Sequence, residues 1–411
     1  MKVLFCSTGG LGHLLPMRPL AAALQARGHR LAWVTAPDAL RWLDGLDMAL
    51  FPAGPAFGPG RLAFRQRHAD ALQVTGEALS AQVFPRLFGA TLAPAMFDAL
   101  GDAVDRWRPD LVVLEPAALA APLVCAQRGL PWLTHEYGLP VPPAYLQDAM
   151  RWFGPWWQRA GLPVPDDGGL YRHRSVHVAP PGLSPVPPAR AAASLALNPC
   201  VLPAGHRFRA PRPAGQPARV YLTFGTVFHR SPALLQAARA LADTGAQVVV
   251  SVGPDGRPEE VPAHPNVQAA TFVDQSAVLK ACDLVVSHGG AGTVLAAAAH
   301  GLPQLVLPQG ADHFRNARAL AQAAVARTIA PPAQTTDHIR EAAENLLSDP
   351  AWAGAARRLA EEMRAMPPPA AVAEGLERWC THRSPAGPEA RPGLTAAETP
   401  ASTPAAHSAA R

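Results

Sequence analysis

Residues Cys282 to Gln309 read CDLVVSHGGAGTVLAAAAHGLPQLVLPQ. Leu284, Val285 and Val286 form an apolar run too short for an ordinary helix and closed by glycines, which reads as a buried strand. His288, Gly289, Gly290, Ala291, Gly292 and Thr293 read as a turn, and the alanine-rich run Val294 to Ala299 favours helix. Gly301 and Pro303 stop that helix, and Leu305, Val306 and Leu307 give a second buried strand. The unit is strand, glycine loop, helix, strand, with the loop placed where a helix begins. Glycines there let backbone amides approach an anion, and the unpaired N–H groups of the helix start carry partial positive charge. Thr293 would add a hydroxyl and His288 a ring N–H. A tight turn needing positive φ is the competing reading; it explains the glycines but not the histidine and threonine beside them.

The same alternation recurs on both sides of this unit. Lys2 to Ser7 is strand-like, Thr8-Gly9-Gly10-Leu11-Gly12-His13 is a second glycine loop, and Pro16, Met17, Leu20, Ala21 and Leu24 follow at helical spacing. Gly28 closes that helix. Further strands are expected at His29–Thr35, Met48–Phe51, Leu111–Leu114 and Trp132–Thr134, with a helix over Ala117–Gln127. In the second half, strands are expected at Arg219–Phe224, Gln247–Val252 and Val267–Phe272. Helices are expected at Leu234–Ala242, Phe314–Ala324, Thr336–Leu347, Ala351–Met366 and Ala371–Cys380. Repeated βαβ units predict an α/β fold with doubly wound parallel sheets.

The expected organisation is a first sheet domain over residues 1–180, a proline-rich linker over 181–217 and a second sheet domain over 218–366. A helix over 367–381 crosses back to the first domain, and a disordered tail follows over 382–411. Between Pro52 and Gly101 the pattern loosens into a loop and helices of mixed polarity, an insertion suited to shaping a ligand pocket. Trp152, Phe153, Trp156 and Trp157 cluster at helical spacing, which is read as core before binding site, with membrane-surface contact a weaker third reading.

Composition excludes several classes. The 411-residue chain has a net charge of +5, and its basic residues are dispersed with no aromatic-interleaved basic stripe, so nucleic acid is not an expected partner. Hydrophobic residues are plentiful but form no run of membrane-spanning length, and no signal-peptide pattern opens the chain. The five scattered cysteines, without a CxxC spacing, support neither a zinc site nor a disulfide framework. A cytoplasmic setting, no integral membrane association and a monomer or homodimer are the expectations.

Over roughly residues 1 to 380 the chain resembles the GT-B glycosyltransferases that glycosylate macrolides and other natural products, a fold of two Rossmann-like domains facing across a cleft. The resemblance rests on SHGGAGT through LPQGADHFRNA (Ser287–Ala317), on Phe272-Val273-Asp274-Gln275 with Leu279, and on the opening GGLGHLLPMRPLAAALQARGH. It implies a nucleotide-sugar donor, dTDP- or UDP-linked, an aglycone acceptor, and no metal or other cofactor. His288, Gly292 and Thr293, with the amide of Ala291, would hold the donor diphosphate, and Gly12, Val273 and Gly290 belong to the same donor set. Thr226 would approach the same phosphates, Phe272 the base, Gln275 follows it, and Asp312 would accept hydrogen bonds from sugar hydroxyls. His313 stands where relatives often carry glutamine.

His13 resembles the general base of these enzymes, and imidazole chemistry suits that task near neutral pH. A loop histidine bonded to backbone is the alternative. Glu115 would orient His13, as the carboxylate does in a triad, or else is a solvated strand-end acid. The expected reaction inverts the anomeric centre; a non-catalytic GT-B-like partner and a lipid-acceptor transferase are the competing readings. In UDP-sugar-using relatives a glutamate two turns past the phosphate loop binds the ribose hydroxyls. Here that place is Ala296, which favours a dTDP-linked deoxysugar unless another group holds the ribose.

Overall fold

The computed structural model describes residues 1–184, 193–200, 202, 208, 212 and 215–382. Two fully parallel sheets carry the chain. The first runs in the order β3-β2-β1-β4-β5-β6-β7 and is built from β1 (Lys2–Cys6), β2 (Arg30–Thr35), β3 (Met48–Pro52), β4 (Leu111–Leu114), β5 (Trp132–His135), β6 (Arg174–His177) and β7 (Ser194–Ala196). The second runs β10-β9-β8-β11-β12-β13, from β8 (Arg219–Thr223), β9 (Gln247–Ser251), β10 (Val267–Ala270), β11 (Leu284–Ser287), β12 (Gln304–Val306) and β13 (Ala326–Thr328). Each central strand is buried on both faces, which is why β1 and β11 read as unbroken apolar runs. In each sheet the strand order reverses once beside the first strand, between β1 and β4 and between β8 and β11. Crevices for ligands open at such reversals, outside the carboxyl ends of the strands.

Several expectations are corrected. The helix after β11 spans Ala291–Ala299, so Ala291, Gly292 and Thr293 form its first turn and Gly290 its cap, where a loop was expected. The helix after β4 begins at Ala120 and not at Ala117. The stretch read as linker contains β7, which pairs in register with β6 and belongs to the first sheet. β6, β7 and β13 are short and carry no strong period, so the sequence did not reveal them. The tail from residue 383 lies outside the described residues.

The loosened region is mostly one helix, Gly76–Trp107, with a π-helical turn over Pro85–Leu92. By length and composition it could cross a membrane, a possibility the sequence reading did not anticipate, but 61% of its most apolar window is buried inside the protein. It packs on the helix Pro143–Arg159, whose Phe153 and Trp157 are core while Trp152 stays 44% exposed.

One apolar cluster joins the halves. It runs from Val3, Phe5 and Trp33 under the first sheet, through Val372, Ala373 and Leu376 of the helix Pro369–His382, to Val294 and Val306 of the second. At the edge of that helix Glu377 accepts from Arg27 Nε (2.7 Å), Arg27 Nη2 (2.5 Å) and His29 Nε2 (2.7 Å). The Arg27 hydrogen bonds, aided by His29 against the opposing effect of burial, hold the Glu377 carboxyl at about 2, below its usual 4.5. A carboxyl depressed on folding stabilises above its unfolded pKa, and that contribution disappears as pH falls through the folded value. The melting-temperature gap between parent and Glu377→Gln is therefore expected to be constant above pH 4.5 and to close between pH 4.5 and about 2. A gap that widened on acidification would contradict this assignment.

Candidate functional site

The first crevice holds His13 and Glu115. β1 and β4 pair with Cys6 opposite Leu114, so the residues that follow them emerge side by side. His13 sits in the single helical turn Leu11–Leu14, not in an open loop, and its Nδ1 lies 3.1 Å from Glu115 Oε2. Glu115 is fully buried, which rules out the solvated strand-end reading. Its Oε1 accepts from the Thr8 amide (3.0 Å) and hydroxyl (3.1 Å), and its Oε2 also accepts from the Ala117 amide (2.6 Å). Burial pushes this carboxyl up, but the charge of His13 and the hydrogen bonds from His13, Thr8 and Ala117 outweigh it and leave the pKa lowered. An ionised carboxylate takes the Nδ1 proton as a hydrogen bond, so Nε2 is left with the lone pair. The rings of Tyr137 (centroids 4.5 Å) and Phe88 (5.3 Å) flank the imidazole, whose side chain is 17% exposed.

The second crevice holds the glycine loop. Thr223 pairs with Ser287, so the turn after β8 and the loop after β11 meet at His288. A Cβ on Gly225 would stand 2.9 Å from His288 Cε1, and one on Gly290 would stand 2.6 Å from His288 Nε2. Both glycines are thus the walls of the imidazole seat. Burial, with His313 beside it, pushes the His288 pKa well down, so the ring is neutral. Its Nδ1 has no hydrogen-bond partner among the described residues. The amides of Ala291, Gly292 and Thr293, as the first turn of a helix, face outward without helical partners. Thr226 lies in the turn beside this loop, partly exposed.

The remaining expected residues are dispersed around these centres. Phe272 is 54% exposed, with Trp42 of the first domain 6.1 Å away across the cleft, and Val273 and Gln275 lead into the helix Gln275–Ala281. Asp312 caps the helix His313–Gln322. Gly12 lies in the turn of His13, exposed, with open space beside its Cα. His313 is only 2% exposed, and burial pushes its pKa down to about 3. Its Nδ1 accepts from the amides of Gln309 (3.3 Å) and Gly310 (3.2 Å). Its ring stands nearly perpendicular to that of His288, with centroids 4.4 Å apart. His313, placed by the resemblance where relatives often carry glutamine, therefore packs behind the glycine loop against His288.

Three residues escaped the sequence reading. Asn316 donates to Gly289 O (2.8 Å) and to Asp312 Oδ2 (2.7 Å), tying the glycine loop to the acid. Its i, i+4 spacing from Asp312 was the available signal. Thr8 and Tyr137 carried none, because what matters in them is proximity created by the sheet. Across the cleft, Arg315 Nη2 donates to Leu139 O (3.2 Å) and Arg318 pairs with Glu77.

The chain matches the erythromycin biosynthesis protein CIII-like family, with its N-terminal domain over residues 23–155 and its C-terminal domain over 235–379. It is 34% identical over 388 residues to L-demethylnoviosyl transferase of Streptomyces niveus, spanning 92% of this chain and 97% of that one. To elloramycin glycosyltransferase of Streptomyces olivaceus it is 33% identical over 403 residues, spanning 92% and 97%. Among solved structures it resembles the glycosyltransferase SsfS6 of Streptomyces sp. SF2575 complexed with thymidine diphosphate, with a TM-score of 0.71 and 29% identity over 92% and 99% of the two chains.

Proposed function

Because the chain belongs to the erythromycin biosynthesis protein CIII-like family of GT-B natural-product glycosyltransferases, we propose that it moves a deoxysugar from a dTDP-linked donor to a hydroxyl of a small, largely apolar aglycone, with inversion and with His13 as general base. Transfer of a sugar from a nucleotide donor to an aglycone is the family's reaction. The observation that carries the finer reading is the His13–Glu115 pair, in which a buried carboxylate fixes the tautomer and leaves Nε2 open. Nε2 takes the acceptor proton as the acceptor oxygen bonds to the anomeric carbon, and the bond from that carbon to the diphosphate oxygen breaks. Glu115 stabilises the imidazolium until the proton passes to solvent. The leaving diphosphate gains charge against the helix start at Ala291, Gly292 and Thr293, with a neutral His288 beside it, so amide dipoles supply the stabilisation. A dTDP-sugar assay with hydroxylated acceptors tests this reading: the product anomer must be opposite to that of the donor, and retention would end it.

Donor choice rests on Ala296. Its side chain borders an apolar cluster with Tyr221, Leu279 and Val273, and alanine at this place offers no acceptor for ribose hydroxyls. A site that pairs with the 2′-hydroxyl rejects a deoxyribose by leaving its own acceptor unpaired; this one has none to strand. In competition binding, dTDP is expected to bind at least as tightly as UDP, and Ala296→Glu is expected to shift the preference toward UDP. A clear UDP preference in the parent would overturn the donor assignment.

A further inference from the structure

The segment Tyr137-Gly138-Leu139, just past β5, touches both crevices at once. Tyr137 lays its ring against His13 with centroids 4.5 Å apart, while Glu115 holds Nδ1. The next residue meets the donor loop: a Cβ on Gly138 would stand 2.5 Å from the Ala291 Cβ, a distance real side chains do not occupy. The residue after that takes the Arg315 hydrogen bond through its carbonyl, three positions beyond Asp312. Thus three consecutive residues reach the base, the first turn of the diphosphate-facing helix and the helix that Asp312 caps.

We propose that Tyr137 is a positioning residue and Gly138 the contact that sets it: the donor half seats on Gly138, and this seating holds the Tyr137 ring against His13. The inference rests on His13 being the base. Tyr137 is buried, and what it brings to His13 is a ring-to-ring contact, the two planes tilted by 53°. Burial, with the negative charge of Glu115, pushes the phenol well up, so it remains neutral and adds no charge beside the imidazole. Phe88 is the second ring in contact with the imidazole, and Glu115 holds its Nδ1. The glycine loop and Asp312 belong to the second domain and Gly138 to the first, so a change at Gly138 is expected to act on alignment more than on nucleotide affinity.

The test is a double-substitution cycle. Gly138→Ala in the parent is expected to cut kcat about 30- to 100-fold, the scale of a sub-ångström to 1 Å misplacement of reacting groups, with the Kd for dTDP within about threefold. In the background of Ala291→Gly, where the opposing Cβ is gone, adding Gly138→Ala is expected to cost no more than about threefold. Equal costs in the two backgrounds would overturn the contact. Tyr137→Phe keeps the ring and is expected within about threefold of parental kcat, whereas Tyr137→Leu is expected to lose about 30-fold and to displace the acid limb of the kcat/KM–pH profile. A loss in Tyr137→Phe equal to that in Tyr137→Leu, or an unmoved acid limb in Tyr137→Leu, would overturn the ring's role. His13→Ala measured alongside separates the two ideas, because parental activity there removes the base itself, whatever the cycle shows.

Discussion

His13→Ala is expected to turn over donor at about one hundredth to one ten-thousandth of the parental rate, the usual contribution of a general base. Nucleotide affinity should be unchanged, because His13 stands at the β1/β4 crevice while the glycine loop belongs to β11 and its following helix. The substitution removes a side chain only 17% exposed, so contacts with Tyr137 and Phe88 are lost along with the hydrogen bond to Glu115. That carboxylate keeps Thr8 and Ala117 as donors. The fold should therefore survive, and melting temperature read beside kcat separates chemistry from collapse. A rate within a few-fold of parental would remove His13 from the mechanism. Glu115→Gln should lose less than His13→Ala, since an amide oxygen can still accept from Nδ1–H but stabilises the imidazolium poorly.

Truncation after Met366 is expected to have the largest effect on stability, and truncation after Arg383 almost none. The helix Pro369–His382 buries Val372, Ala373 and Leu376 in the cluster shared by both sheets. Burial of a valine or leucine side chain contributes about 1.5–3 kcal/mol each, so loss of this helix removes several kcal/mol of a margin that is itself only about 5–15. The helix Arg18–Ala26, against which it packs, would lose that cover. Thermal unfolding of the two truncated chains decides it: equal melting temperatures would reject the brace.

The parallel-sheet architecture was legible because apolar runs such as KVLFC and LVVS can be little else when glycine loops follow them. The glycine loop after β11 was legible for the same reason, since its residues lie within one short segment. His13 and Glu115 were each visible but not as a pair: 102 residues separate them, and only the β1/β4 register brings them together. Tyr137 was invisible for a related reason, its meaning lying in what the fold lays against it. The packing of His313 was not legible either, since nothing in the sequence says that two amides claim its Nδ1.

The wall beside His13 is made by the insertion between β3 and β4, chiefly the helix Gly76–Trp107 with Phe84 and Phe88 on it, and no strand pairing depends on that insertion. The chemical groups hang instead from the ends of central strands. The insertion can consequently change in sequence and length while both sheets, and the groups proposed to carry the transfer, stay in register. Such a molecule is evolvable in one direction: the range of compounds it accepts can diversify quickly, whereas the transfer step is held in place by the same hydrogen-bond ladders that hold the protein together.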